Sequence, residues 1–123
     1  MGKSKILVVD DDRDILDLLE YNLKREGFKV KTVEESQHAV DVCRQFEPDL
    51  IILDIMMPEV NGIEVCRRIR AIDRFKETFI FFLSAKSEVY YQKAALDTGG
   101  NDFFDKIIGI RSLRAKIKAV LNP

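Results

Sequence analysis

Short apolar runs alternate along the whole chain with stretches of helical periodicity, and this alternation restricts the fold more than any other feature. KILVV (5–9), LIIL (50–53) and FIFFL (79–83) are apolar almost throughout, FKVKTV (28–33) alternates apolar with polar residues, and DFFD (102–105) is short. Behind each run, apolar side chains return at helical spacing. Ile15, Leu18, Leu19 and Leu23 form one such face, and Ala39, Val40, Cys43 and Phe46 a second. Ile63, Cys66, Ile69 and Arg70 share a third helix whose other side is basic, and Leu113, Ile117, Val120 and Leu121 fall together on the last. Ser87 opens a further helix that runs to about Thr98. Asp12 and Ser36 stand where helix caps are wanted, and Gly27 and Gly99-Gly100 where helices stop. Five strand–helix units in strict alternation imply an α/β fold, a parallel sheet with helices on both faces and right-handed crossovers. The alternating and the short strand suit edges and the continuous ones the centre, which fits a doubly wound sheet of order 2-1-3-4-5.

At 123 residues the chain suits a single domain spanning residues 1–123. Its 46% apolar and 33% charged residues argue against disorder. A net charge of −1 without a basic run makes nucleic acid an unexpected partner. The apolar runs are too short for a bilayer, and Met1–Lys5 is polar, so no membrane partner is expected and the chain reads as cytoplasmic. Cys43 and Cys66 have neither CxxC spacing nor a nearby histidine and read as reduced packing residues, while His38 falls on a polar helix face.

In a doubly wound sheet the ligand crevice lies beyond the carboxyl ends of the strands, where the winding reverses. The residues there are chemically distinctive. The first strand is followed by Asp10, Asp11 and Asp12, the third by Asp54, the fourth by Ser84 and the fifth by Lys106. Crowded carboxylates suit a hard divalent cation, and Mg2+ takes a few of them with water and phosphate oxygens. A lysine opposite the metal can neutralise another side of a phosphoryl group, a hydroxyl can donate to it, and an aspartate can attack phosphorus. Helix capping is the simpler account of Asp12 and Asp14. It does not account for Asp10, Asp11, Asp54 and Lys106 gathered on one rim.

These residues, and the segments ILVVDDD, LIILDIMMPEVNG, FFLSAKSE and GGNDFFDK in that order, resemble the receiver domains of two-component response regulators over nearly the full chain. The chemotaxis receiver has the 2-1-3-4-5 strand order of this flavodoxin-like class. The resemblance implies that Asp54 is the phosphorylated aspartate. It implies that Asp10 and Asp11, with Asp54 and the Met56 backbone carbonyl, hold Mg2+. It makes Ser84 the hydroxyl that moves onto the phosphoryl group, Lys106 its ammonium partner and Phe103 the aromatic switch. The implied donor is a phosphohistidine on a sensor kinase or phosphotransfer protein. By the same resemblance Met56 and Lys86 would flank the path of attacking water; neither is a carboxylate or amide that could orient it, and Lys86 could ion-pair with the phosphoryl group, which implies slow self-dephosphorylation. Such a domain is a phosphoacceptor and not an enzyme in the ordinary sense.

Two positions depart from the family. Its Lys-Pro pair is here Lys106-Ile107. A cis bond to a non-proline costs about 2.5–4 kcal/mol, so a trans bond or a rearranged loop is expected. Asp105 stands where the family usually carries an apolar residue, and of a local ion pair or simple exposure to water the latter is expected. The output face implied by the family, on the fourth helix, fifth strand and fifth helix, would include Tyr90, Tyr91, Lys93, Asp102, Arg114 and Lys118. The partner there would be a downstream protein or a second copy in a weak, phosphorylation-favoured homodimer. Charge pairing of the kind seen in winged-helix regulators is incomplete, with Gln92 and Ser112 at positions usually charged. A free-standing receiver and the receiver of a transcriptional regulator both remain open. The rival from a different class is a small haloacid-dehalogenase-like phosphatase with Asp10 as nucleophile and Asp12 as acid. A flavin carrier is disfavoured, because its phosphate loop would need donors where this chain has acids.

Overall fold

The computed structural model describes residues 2–122, apart from the side chains of Lys86 and Ser87. Five parallel strands, β1 (Lys5–Val9), β2 (Lys29–Val33), β3 (Leu50–Asp54), β4 (Phe79–Ser84) and β5 (Asp102–Asp105), form one sheet in the order β2-β1-β3-β4-β5. The helices are α1 (Arg13–Arg25), α2 (Ala39–Phe46), α3 (Gly62–Arg70), α4 (Gln92–Thr98) and α5 (Ile110–Leu121).

The period-two exposure of a strand divides the core into two layers. Leu7, Val9, Ile51, Leu53, Ile80 and Phe82 point to the side covered by α2, α3 and α4. Ile6, Val8, Leu50, Ile52, Phe81 and Leu83 point to the side covered by α1 and α5. The continuous runs are therefore the strands buried on both faces, whereas β2 keeps Lys29 and Lys31 in water. Cys43 and Cys66 are free, buried and on the same side of the sheet.

Local chemistry sets most of the boundaries. The Asp12 carboxylate caps α1 by accepting from the Asp14 amide at 2.9 Å, and Gly27 (φ 97°) ends the same helix in a conformation that glycine adopts without strain. On α1 the buried side chains are Leu16, Leu19 and Leu23, while Leu18 is half in water. The expected face was rotated by part of a turn, because Ile15 and Leu18 are shoulders of the stripe and Leu16 its centre. Before α4, Lys86–Tyr91 forms a 3₁₀ segment, so the α-helix starts later than the sequence indicates. Ala95 alone among the α4 residues is buried.

Arg70, the last residue of α3, joins several chain ends. Its guanidinium donates to the carbonyls of Phe75 (2.7 Å), Thr78 (2.6 Å) and Gly99 (2.8 and 3.0 Å) and to Asn101 Oδ1 (3.0 Å). The planar fork with its several donors suits this task, and a lysine would not reproduce it.

Helix α5 is held on both flanks. Arg114 Nε donates to Glu26 at 3.0 Å, and Lys118 lies 3.9 Å from the same carboxylate at the end of α1. On the opposite flank Lys116 pairs with Asp102 of β5 at 3.5 Å. Arg114 and Lys118 therefore turn toward α1 and not toward the α4–β5–α5 face expected of them; Lys116 takes that place. About half a helical turn of phase separates the two assignments, and only the packing of α5 fixes it.

Candidate functional site

Parallel register alone assembles the rim. Val9 pairs with Leu53, so Asp10 follows level with Asp54, and Ser84 pairs with Asp105, one residue short of Lys106. Asp10, Asp11 and Asp54 each bring a carboxylate oxygen to within 4.8 Å of the others. Asp10 and Asp54 are buried and Asp11 is exposed. Lys106 Nζ reaches in from the far edge and lies 3.1 Å from Asp10 Oδ2 and 3.2 Å from Asp54 Oδ1. The Asp10 carboxylate also accepts from the Asp12 amide at 2.8 Å, which fixes its orientation.

At this rim the buried Ser84 Oγ has no hydrogen-bond partner, and the buried Asp10 Oδ2 and Asp54 Oδ1 have only their ion pairs with the one Lys106 ammonium. Buried polar atoms are seldom left so, and their convergence marks a place prepared for something else. Burial first, and the Asp10 carboxylate second, push the Asp54 carboxyl up to about 8 against the pull of Lys106. Burial likewise raises Asp10. Burial works to lower Lys106, but Asp10 and Asp54 outweigh it and hold the ammonium protonated. One ammonium does not balance the acids, and a cation in contact with oxygens of all three would.

The loop after β3 is positioned by contacts that sequence reasoning did not find. Gly62 packs so closely on the Asp54 carbonyl that a Cβ there would stand 1.9 Å from the oxygen, so only glycine lets α3 start beneath the site. Ser36 does not cap α2. It is buried, and its hydroxyl donates to the Pro58 carbonyl at 2.6 Å and accepts from the Val60 amide at 3.1 Å, tying the loop that carries Met56. A serine before a helix signals a cap, and nothing local distinguishes it from a tether across 22 residues. Ser36→Ala removes both bonds, leaving the Val60 amide and the Pro58 carbonyl their mutual bond at 2.8 Å, and should lower stability by about 0.5–1.5 kcal/mol in urea unfolding; an unchanged midpoint would show that the tether carries no weight.

Asp105 does not simply face water. Its Oδ1 accepts from the amides of Ile107 (2.7 Å) and Ile108 (2.9 Å), and the Lys106–Ile107 bond is trans, as are all peptide bonds among the described residues. Phe103 is half-buried against the α2–α3–α4 core, and Met56 is half exposed beside the acids. The Lys86 side chain, expected beside the water path, lies outside the described residues. Tyr90 and Tyr91 are both exposed, the first almost wholly, with their rings edge to face at 5.5 Å.

A strand edge of this order, carrying acids, a hydroxyl and a lysine at these places, defines the response regulator receivers, and the chain belongs to that family: the model of the response regulator receiver domain matches residues 6–118. The alkaline phosphatase synthesis transcriptional regulatory protein PhoP of Bacillus subtilis is 41% identical over 119 residues, which is 96% of this chain and 48% of PhoP. The chain thus spans about half the length of that relative. A two-component response regulator from Clostridium difficile superposes with a TM-score of 0.87 at 28% identity, covering 98% of this chain and 97% of its own. The BeF3-activated N-terminal receiver domain of Klebsiella pneumoniae RstA gives 0.87 at 26% identity over 98% and 100% of the two chains. The phosphatase reading is not favoured. No helix among the described residues is long and apolar enough to cross a membrane.

Proposed function

We propose that residues 1–123 form one receiver domain that accepts a phosphoryl group on Asp54 from a phosphohistidine of a sensor kinase or phosphotransfer protein in the cytoplasm. The observation that carries this reading is the convergence of the buried Asp10 and Asp54 carboxylates on one lysine ammonium, beside a buried Ser84 hydroxyl that has no hydrogen-bond partner. A carboxylate oxygen of Asp54 attacks phosphorus, the P–N bond to the donor imidazole breaks, and its electron pair returns to the nitrogen, which takes up a proton. The proton that burial keeps on Asp54 leaves before attack. Lys106 neutralises one side of the transferred group, and the Ser84 hydroxyl supplies a donor to another. The carboxylates of Asp10, Asp11 and Asp54 fit Mg2+, with the Met56 carbonyl as a further ligand; when bound it neutralises phosphoryl oxygens during transfer. The domain acts as a phosphoacceptor, without turnover of a free substrate beyond slow loss of its own phosphoryl group.

Once Ser84 is drawn toward the phosphoryl group, Phe103 repacks and the face of α4, β5 and α5 changes. Tyr90, Tyr91, Lys93, Asp102 and Lys116 offer the partner-binding groups there, to a downstream protein or a second copy. Incubation with Mg2+ and acetyl phosphate tests the reading. One phosphoryl group per chain, slow to disappear after the donor is removed, is the expected mass spectrum, with light scattering rising on the same sample if the partner is a second copy. Absence of any added mass would overturn the reading.

A further inference from the structure

The segment between β5 and α5 is a single capped turn. The Lys106 amide donates to the Ser84 carbonyl at 2.9 Å, so the ladder continues one residue past β5. The chain then folds back. The Asp105 carbonyl accepts from the Gly109 amide at 2.9 Å, while the Asp105 carboxylate takes the amides of Ile107 and Ile108. This is the pattern of a helix N-cap, in which a side-chain oxygen serves the second and third amides of the turn. Lys106 therefore occupies the first position of a turn whose cap is its own neighbour. Gly109 closes it from the other end, since a Cβ there would stand 2.6 Å from the Asp105 amide nitrogen and carbonyl oxygen. The two isoleucines are left 83% and 84% exposed, so the cap, together with the backbone bonds at the two ends of the turn, is what holds these two residues.

We propose that Asp105 is a positioning residue for Lys106: its carboxylate fixes the turn that aims the lysine at Asp10 and Asp54. The inference rests on Lys106 acting on the phosphoryl group, as proposed above. A Lys106 side chain on an uncapped loop would spend most of its time elsewhere, and phosphotransfer would slow by the factor an ordinary cap contributes to its turn, about fivefold.

The test compares wild type, Asp105→Ala and Asp105→Asn for the rate of labelling by acetyl phosphate at saturating Mg2+, with amide hydrogen exchange of Ile107 and Ile108 measured without donor. Asp105→Ala should slow labelling about fivefold and unprotect both amides, while Mg2+ affinity stays within twofold, because the metal-facing acids are untouched. Asp105→Asn keeps the accepting Oδ1 and should restore both readouts to within twofold. In a Lys106→Ala background Asp105→Ala should slow labelling by less than twofold, there being no ammonium left to aim. Unchanged rate or exchange in Asp105→Ala, no rescue by asparagine, or the same fivefold loss without Lys106 would each overturn the proposal. Wild type that takes no label at all would instead overturn the reading of the site.

Discussion

Asp54→Asn is expected to take up no phosphoryl group from acetyl phosphate under conditions in which wild type takes up one. The amide keeps the shape of the side chain but has no carboxylate electron pair to attack phosphorus, so the loss should exceed a hundredfold, the scale on which removed nucleophiles act. Misfolding is not a competing explanation, because the substitution removes a buried carboxyl that burial and Asp10 together disfavour in its charged form. The metal-free variant should therefore melt at or above the wild-type temperature near pH 8. Asp10→Asn separates the two chemistries. A phosphatase using Asp10 would lose its label with that change and keep it in Asp54→Asn. A receiver shows the reverse, with Asp10→Asn slowed through weaker metal binding but still labelled. Wild-type labelling of Asp54→Asn would sink the assignment.

The second large effect is on stability and combines pH with metal. Asp54 is raised in the folded protein from 3.8 to about 8, so the native state holds a proton that the unfolded chain has released anywhere between those values. Stability of the metal-free protein should then be greatest below about pH 4 as far as this group is concerned, and should fall as pH rises from there toward 8, by at most about 1.4 kcal/mol per pH unit. Mg2+ binds the ionised form and should reverse the trend. At a free concentration of about 100 Kd it adds about 2.7 kcal/mol, or roughly 8 °C for a domain of this size, and more of this appears at pH 8 than at pH 6. Asp11→Ala should lose most of the Mg2+ shift and keep most of the metal-free pH slope, because burial and Asp10 come ahead of Asp11 in holding the Asp54 carboxyl up. Equal melting curves for wild type with and without millimolar Mg2+ at pH 8 would count decisively against a cation among these acids.

Much of this could be read from residue order because parallel sheets express their chemistry at one end. Once KILVV, LIIL, FIFFL and DFFD are strands of one parallel sheet, the residues after them share a rim, and Asp10, Asp54, Ser84 and Lys106 meet there with no further information. The same logic yields the capping role of Asp12, a contact within two residues of chain. What remained hidden depends on rotation or on distance in sequence. Arg114 and Lys118 differ from Lys116 only in helical phase, which the packing of Leu113 and Ile117 decides. Leu18 and Leu16 exchanged places on α1 for the same reason. Ser36 reaches a loop far along the chain, and its hydroxyl looks the same on paper as a cap. Asp105 was misjudged differently: an acid beside a lysine reads as a surface residue until the amides of the following turn are seen to point at it.

The cluster of carbonyls around Arg70 gives α4 the mechanics of a lever. Its C-terminal end is pinned, because the guanidinium grips Gly99 and Asn101 together with the end of α3 and the start of β4. Its other end leads through the 3₁₀ segment straight to Ser84, with Ala95 as the only α4 residue fully in the core. At about 1.5 Å per residue the helix is an arm of about 10 Å. If Ser84 is drawn toward a phosphoryl group as proposed, the pull would swing this arm about its pinned end, with the largest displacement where Tyr90 and Tyr91 stand in water. With α5 clamped by Glu26 on one side and Asp102 on the other, the proposed switch would leave this frame still, and a small shift beside the acids would be read out as a change in the angle of one short helix.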